Sequence, residues 1–231
     1  MMQIGGRRAL VTGGQRGLGA AFTAELLEHG AERVYVTARE PQRGEDPRIV
    51  ALPLDVTSQA SVDRLAAVVD DVSIVINNAG VTGPVPVLGT HVDAMRAVFD
   101  TNVFGPVRVA EAMAPALARH ESSALVNIHS VLSWLAGAGA YGASKAALWS
   151  LTNSLRVELA RQGTSVIGVH LGLADTEMSA RLNLPKVTPA FVAARVIDGL
   201  ERGDTEVLVD EISRDAKSIL AGPVENLVFS W

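Results

Sequence analysis

The stretch from Arg8 to Leu27 limits the possible folds more than any other part of the 231-residue chain. Arg8-Ala9-Leu10-Val11-Thr12 is a short apolar run with the character of a buried strand, and Gly13, Gly14, Gly17 and Gly19 follow it at once. Ala20 to Leu27 then carries apolar residues at helical spacing. A strand, a glycine turn and a helix in that order bring a helix N-terminus to the end of a buried strand. The free amides and positive dipole end of that helix attract a pyrophosphate, and the glycines let the backbone approach it. An ordinary tight turn has the same local pattern, so the rest of the chain has to decide between them.

The alternation continues. Further strands are predicted at Arg33–Ala38, Ile49–Leu54, Ser73–Ile76, Ala124–Ile128, Ser165–His170 and Glu206–Val209, with helices at Thr57–Asp70, His91 to about His120, from Tyr141 onward, Pro189–Leu200 and Ile212–Leu220. The polar connector Glu40–Pro47 holds two prolines and is read as a loop or single turn rather than a crossover helix. Inside the long helical stretch, Thr101–Pro106 contains a proline, which places Asn102 at a distortion where a buried amide needs partners. The expected architecture is one α/β domain over residues 1–231, a doubly wound parallel sheet of about seven strands with helices on both faces.

Composition narrows the function classes. A 48% hydrophobic chain of this length supports one substantial core. It has no cysteine, hence no disulfide and no thiolate metal site, and no metal is expected. The net charge is −5 with scattered basic residues, which argues against nucleic acid as a ligand. The Met1–Arg8 start lacks a signal-peptide pattern, and no apolar run reaches the ~18 residues of a membrane span, so a soluble cytoplasmic protein with no membrane partner is expected.

The second strand ends in Ala38-Arg39. An acidic side chain near this point holds the ribose hydroxyls of NAD, whereas an arginine pairs with the 2′-phosphate of NADP, so NADP(H) is expected over NAD(H), with Arg16 as a second cation. Solvated surface arginines are the alternative. Asp55-Val56 leaves the third strand, where Asp55 either accepts from an adenine amino group or caps the next helix. Asn77-Asn78-Ala79-Gly80 closes the fourth strand with small residues suited to a backbone lying against a ligand, and Asn77 is expected to tie neighbouring strands together. Tyr141 and Lys145 lie four apart on one helical face. A neighbouring ammonium favours the ionised phenol, so such a pair suits proton transfer.

In this order, Thr12-Gly13-x-x-x-Gly17-x-Gly19, Asp55, Asn77-Asn78-Ala79-Gly80, Asn102, Ser130, Tyr141-x-x-x-Lys145 and Thr176 resemble the short-chain dehydrogenase/reductase family, of the compact, single-domain Rossmann-like type, from Ala9 to roughly Met178. The resemblance implies an oxidoreductase that moves a hydride between the nicotinamide and a small carbonyl compound or secondary alcohol. It implies Tyr141 as proton donor and acceptor, and Ser130 orienting the substrate oxygen. Lys145 would lower the tyrosine pKa and bind the nicotinamide ribose, while Asn102 holds a water linking Lys145 to solvent. Cofactor contacts are implied at Gly13, Arg16, Gly17, Leu18, Gly19, Arg39, Asp55, Val56, Asn78, Ala79, Gly80, Tyr141, Lys145 and Thr176.

Departures from the family pattern also inform. Ten residues separate Ser130 from Tyr141, about two fewer than usual, and Ser133 is the alternative serine. His129 stands where serine is common, with hydrogen bonding behind the residues that touch the ligand as its only expected part, and Leu171-Gly172 replaces proline-glycine. His170 is read as a structural histidine or a substrate contact. The lid segment Ser179–Lys186 is short, which predicts an open site or one completed by another subunit. Leu132, Trp134 and Leu135 form either pocket wall or plain core. The uncharged helix after Tyr141 and the apolar tail Val224–Trp231 predict a homodimer or homotetramer. A nucleotide-binding regulatory protein with weak or no turnover is the competing expectation.

Overall fold

A computed structural model describes residues 2–228. Strands β1 (Arg8–Val11), β2 (Arg33–Ala38), β3 (Ile49–Pro53), β4 (Ile74–Asn77), β5 (Ser123–Ile128), β6 (Thr164–His170) and β7 (Glu206–Leu208) form one sheet in the order β3-β2-β1-β4-β5-β6-β7. Every pairing is parallel. Helices are α1 (Gly17–Glu28), α2 (Gln59–Ala66), α3 (Val92–Phe99), α4 (Gly105–Leu117), α5 (Gly139–Leu159), α6 (Pro189–Arg202) and α7 (Glu211–Ile219).

The two-residue period of the strands divides the core between two faces. Ala9, Val11, Val34, Val36, Ile74, Ile76 and Val126 pack with Phe22, Leu26, Val192 and Val196 of α1 and α6. Their neighbours Leu10, Tyr35, Val75, Leu125 and Val166 face the other way, onto Val62, Leu65, Val109 and Met113 of α2 and α4. Strand order reverses between β1 and β4, so the carboxyl ends of those strands border the crevice where ligands bind in open α/β sheets.

Two expectations need correction. The helix expected over Thr57–Asp70 is confined to Gln59–Ala66, and its cap is Ser58, whose hydroxyl accepts from Ser61 N at 3.3 Å, rather than Asp55. Asp55 instead closes a local turn, its Oδ1 accepting from the amide and hydroxyl of Thr57 at 3.0 and 2.7 Å. The predicted break in the second long helix is a π-turn at Asp100–Phe104 between α3 and α4. Pro106 has no N–H, so the carbonyl four residues earlier, that of Asn102, loses its α-helical donor and the turn widens. The expected loop between β2 and β3 is present.

Of the tail, residues 229–231 lie outside the described residues. Leu227 packs back on the Val131–Ala138 cluster and its carbonyl accepts from Ala136 N at 2.8 Å, while Val224 and Val228 remain exposed. Among the described residues, no helix is long and apolar enough to cross a membrane.

Candidate active site

The glycine turn is held by its neighbour strand. Thr12 Oγ1 accepts from the amides of Asn78 and Ala79, both at 3.0 Å, and Asn78 Nδ2 donates back to Thr12 O at 2.9 Å. Thr12 thus locks the end of β1 to the end of β4, a role its sequence position did not announce. A Cβ at Gly19 would lie 2.1 Å from Gly13 O, so only glycine allows α1 to start this close to the turn. Arg16 is the N-cap of α1 and makes no side-chain cap bond, which leaves the first-turn amides to a ligand. This cradle fits the pyrophosphate of a dinucleotide.

Other expected cofactor residues surround it. Leu18 packs on the α1–α6 core and is only partly exposed. Thr176 Cγ2 would be 3.3 Å from a Cβ at Gly17, so the loop after β6 meets the glycine turn. Arg39 is exposed at the end of β2, and its charge helps hold the Asp55 carboxyl below the usual range, after the bonds from Thr57. Val56 is buried beside Asp55. Arg16, expected beside Arg39 as a second cation, reaches instead to Glu177 at 2.6 Å. That pair is exposed on both sides and is worth little energetically, so the arginine is held only loosely.

The residues expected to carry the chemistry meet at the carboxyl ends of β4 and β5. Ser130 follows β5 in extended backbone (φ −160°, ψ 157°), and its Oγ accepts from Leu132 N at 3.2 Å. Its side chain also lies near enough to Tyr141, in the first turn of α5, to lower the phenol pKa. Lys145, one turn on, is buried and donates to Ile128 O at 2.8 Å, with its ammonium 5.8 Å from the centre of the Tyr141 ring. Burial lowers Lys145 to about 8. Burial raises the Tyr141 phenol, and the nearby Ser130 side chain opposes that rise. Lys145 is expected to lower the tyrosine pKa without being able to do so alone, and in the protein burial is the leading influence and raises it.

Asn102 is fully buried in the π-turn. Its Oδ1 accepts from Val81 N at 2.9 Å, and its Nδ2 donates to Val81 O at 2.9 Å and Ser144 Oγ at 3.0 Å. Both amide hydrogens are engaged with protein. A Cβ at Gly80 would lie 3.3 Å from Asn102 Oδ1 and 3.8 Å from Lys145 Nζ, so Gly80 keeps the space between them open. Asn77, as expected, ties strands together, with Nδ2 donating to Asn127 Oδ1 at 2.9 Å.

With this geometry in place, comparison is decisive: the model of the short chain dehydrogenase family matches residues 7–186. The chain belongs to the short-chain dehydrogenase/reductase family. Among solved structures, this dehydrogenase resembles a short chain dehydrogenase from Burkholderia cenocepacia in complex with NADP, with a TM-score of 0.92 and 36% identity, covering 98% of this chain and 97% of that one. Among curated relatives, an uncharacterized oxidoreductase of Staphylococcus epidermidis is 32% identical over 190 residues, 78% of this chain and 83% of that protein. The 1-deoxy-11-beta-hydroxypentalenate dehydrogenase of Streptomyces avermitilis is 36% identical over 196 residues, 77% of this chain and 72% of that protein.

With the shortened loop of this family member, Ser130, not Ser133, is the serine close enough to Tyr141 to lower the phenol pKa. Ser133 Oγ is buried among the described residues without a hydrogen-bond partner. Leu132, Trp134 and Leu135 combine the two expected roles, since they form a buried cluster with Ala138 and Ala216 and also line a shallow cavity of about 310 Å³ with Gly142 and Ala146. A larger cleft of about 630 Å³, lined by Val187, Phe191, Arg195 and Arg214, contains none of the site residues. Sequence reasoning overlooked Ser144, whose Oγ donates to Tyr141 O at 2.7 Å while accepting from Asn102. It also overlooked the pairing of the two buried histidines, His129 and His170, whose rings touch behind Ser130 at 3.0 Å. The available signal was that both follow or end adjacent strands, β5 and β6.

These histidines predict an acid sensitivity. Burial lowers His170 from 6.5 to about 3, so the folded protein keeps it neutral while the unfolded chain takes a proton below pH ~6.5. Its stabilising contribution is complete above 6.5 and is lost as pH falls toward 3, at about 1.4 kcal/mol per unit. His170→Leu should therefore shrink the loss of urea-unfolding free energy between pH 7 and pH 5 by about 2 kcal/mol. An equal loss in both proteins would show that His170 does not couple to folding in this range.

Proposed function

We propose that this protein is an NADP(H)-dependent oxidoreductase acting on a small carbonyl compound or secondary alcohol, with residues 1–231 forming one cofactor-binding and catalytic unit. The observation that carries the reading is the convergence of Ser130 and Tyr141 on buried Lys145, which donates to Ile128 O at 2.8 Å and lies 5.8 Å from the Tyr141 ring centre. The α1 amides and the Gly13–Gly19 turn would hold the pyrophosphate, Arg39 the 2′-phosphate, Asp55 and Val56 the adenine, and Asn78–Gly80 and Thr176 the nicotinamide half. When bound, the nicotinamide supplies or accepts the hydride.

The residues of the chain do the remaining work. Ser130 orients the substrate oxygen, and Tyr141 gives it a proton in reduction or removes one in oxidation. Lys145 places a positive charge beside the phenol and reaches toward the nicotinamide ribose. The Asn102 carbonyl, deprived of its helical donor by Pro106, is suited to holding a water that connects Lys145 with solvent. Turnover of a mixed panel of aldehydes, ketones and secondary alcohols with NADP(H) tests the reading. Binding of NADPH without turnover of any member would favour the regulatory alternative.

Arg39 supports the cofactor preference. Arg39→Asp replaces the partner of the 2′-phosphate with a repelling charge, and should shift preference from NADPH toward NADH by about 2 kcal/mol or more. Dissociation constants for both cofactors decide it, and unchanged NADPH affinity would remove Arg39 from the site. We also propose a homodimer or homotetramer through α5, which exposes the uncharged strip Ala143, Ser150, Ser154 and Val157, the last 74% exposed.

A further inference from the structure

Five side chains outside the reacting set form one hydrogen-bonded line through the core. Asn77 Nδ2 meets Asn127 Oδ1 at 2.9 Å, and Asn127 Nδ2 meets Thr152 Oγ1 at 2.9 Å. Thr152 Oγ1 meets His129 Nε2 at 2.9 Å, and His129 Nδ1 meets His170 Nε2 at 3.0 Å. His170 Nδ1 ends the line on Ser130 O at 3.2 Å. All five residues are buried.

The proton positions follow from the last acceptor. A carbonyl can only accept, so His170 Nδ1 carries hydrogen and its Nε2 holds a lone pair. His129 Nδ1 must then donate to that lone pair, which leaves His129 Nε2 to accept from the Thr152 hydroxyl. The hydroxyl oxygen in turn takes the Asn127 amide hydrogen. Every link donates toward Ser130, and no link is charged. Turning the Thr152 hydroxyl to Leu148 O, 2.7 Å away, would require His129 to carry a second proton to fill the gap. Burial disfavours that charge, lowering His129 well below its ordinary value, with His170, Lys145 and Arg156 acting in the same direction.

The surroundings are shaped to this arrangement. A Cβ at Gly168 would come within 2.8 Å of His129 Cε1, so β6 leaves room for the imidazole. Trp134 stacks on His170 with ring centres 3.8 Å apart. The charged groups around His170 are Glu206, 3.8 Å from Nε2, Lys217, which binds Glu206 at 2.9 Å and lies over the Trp134 ring, and Lys145, whose charge also lowers the His170 pKa.

We propose that His129 and His170 are positioning residues for Ser130, fixing the peptide that carries its hydroxyl through a neutral, one-directional donor chain. The proposal rests on the reading of Ser130 as the group that orients the substrate oxygen. The Ser130–Val131 peptide is gripped at both ends, its carbonyl by His170 and its Val131 amide by Leu171 O at 2.8 Å. Loss of the imidazole would leave the carbonyl without its donor and free the turn that aims Oγ at Tyr141.

Two measurements test this on the full chain. In histidine-labelled protein, long-range ¹H–¹⁵N spectra should show both buried imidazoles as neutral Nδ1–H tautomers from pH 8 to pH 5, and an Nε2–H tautomer at His170 would overturn the chain. In kinetics with NADPH and the carbonyl compound reduced fastest in the panel, His170→Leu should lower kcat by about tenfold or more with NADPH affinity unchanged. His170→Asn, which keeps a donor near the Nδ1 position, should recover most of that loss. In a Ser130→Ala background, His170→Leu should cost nothing further, because the two act through one hydroxyl. Equal losses in both backgrounds would show a general structural role and overturn positioning. If Tyr141→Phe retains turnover, the site reading falls and positioning falls with it. If Tyr141→Phe is inert and His170→Leu is silent, only the positioning claim falls.

Discussion

Tyr141→Phe is expected to abolish nearly all turnover while leaving NADP(H) affinity intact, because the phenol oxygen acts in proton transfer rather than in holding the dinucleotide. Burial raises this phenol in the protein, so bringing it from ~10 to near neutrality requires about 4 kcal/mol or more of differential stabilisation. The Ser130 hydroxyl and the Lys145 charge supply part. The shift is therefore expected in full only with NADP⁺ bound, when a second positive charge faces the same oxygen. Oxidation needs the ionised form, so alcohol oxidation should rise with pH through an apparent pKa well below 10, a value belonging to the coupled Tyr141–Lys145 pair. Reduction needs the phenol and should fall through the same range. Lys145→Ala should damage both turnover and cofactor binding. Turnover against pH with cofactor titration separates these outcomes, and substantial activity in Tyr141→Phe would defeat the mechanism.

Ser130→Ala is expected to lower kcat by roughly 10² or more without weakening NADPH binding, as for a donor whose bond strengthens as charge develops on the substrate oxygen. Its Oγ already accepts from Leu132 N at 3.2 Å, so the hydroxyl is held in place before substrate arrives. Ser133→Ala is the control. Ser133 Oγ is buried without a partner, so its removal should leave kcat nearly unchanged. Single-turnover reduction in both variants decides the matter, and a greater loss in Ser133→Ala would reassign the serine.

Much of this was legible in the chain because the signals are local. The β-branched run along Arg33–Ala38 and the helical spacing after Gly19 are set by neighbouring residues, and both elements lie where expected. Pro106 announced a distortion at Asn102 because a missing N–H acts on its own helix. Local pattern failed at Thr57–Asp70, where Ser58 capped a shorter helix and Asp55 bonded Thr57 instead.

The sequence by itself determined the strand and helix alternation, the glycine turn and the Tyr141–Lys145 spacing, since each depends on residues within a few positions of one another. Only the tertiary structure decided which serine lies near enough to Tyr141 to act on its phenol, that Arg16 turns to Glu177 161 positions away, and that His129 meets His170 across β5 and β6. Those contacts depend on strand register and on the seating of α5 against the sheet. Hydrophobic periodicity specifies the face a side chain takes, but not its neighbour on that face.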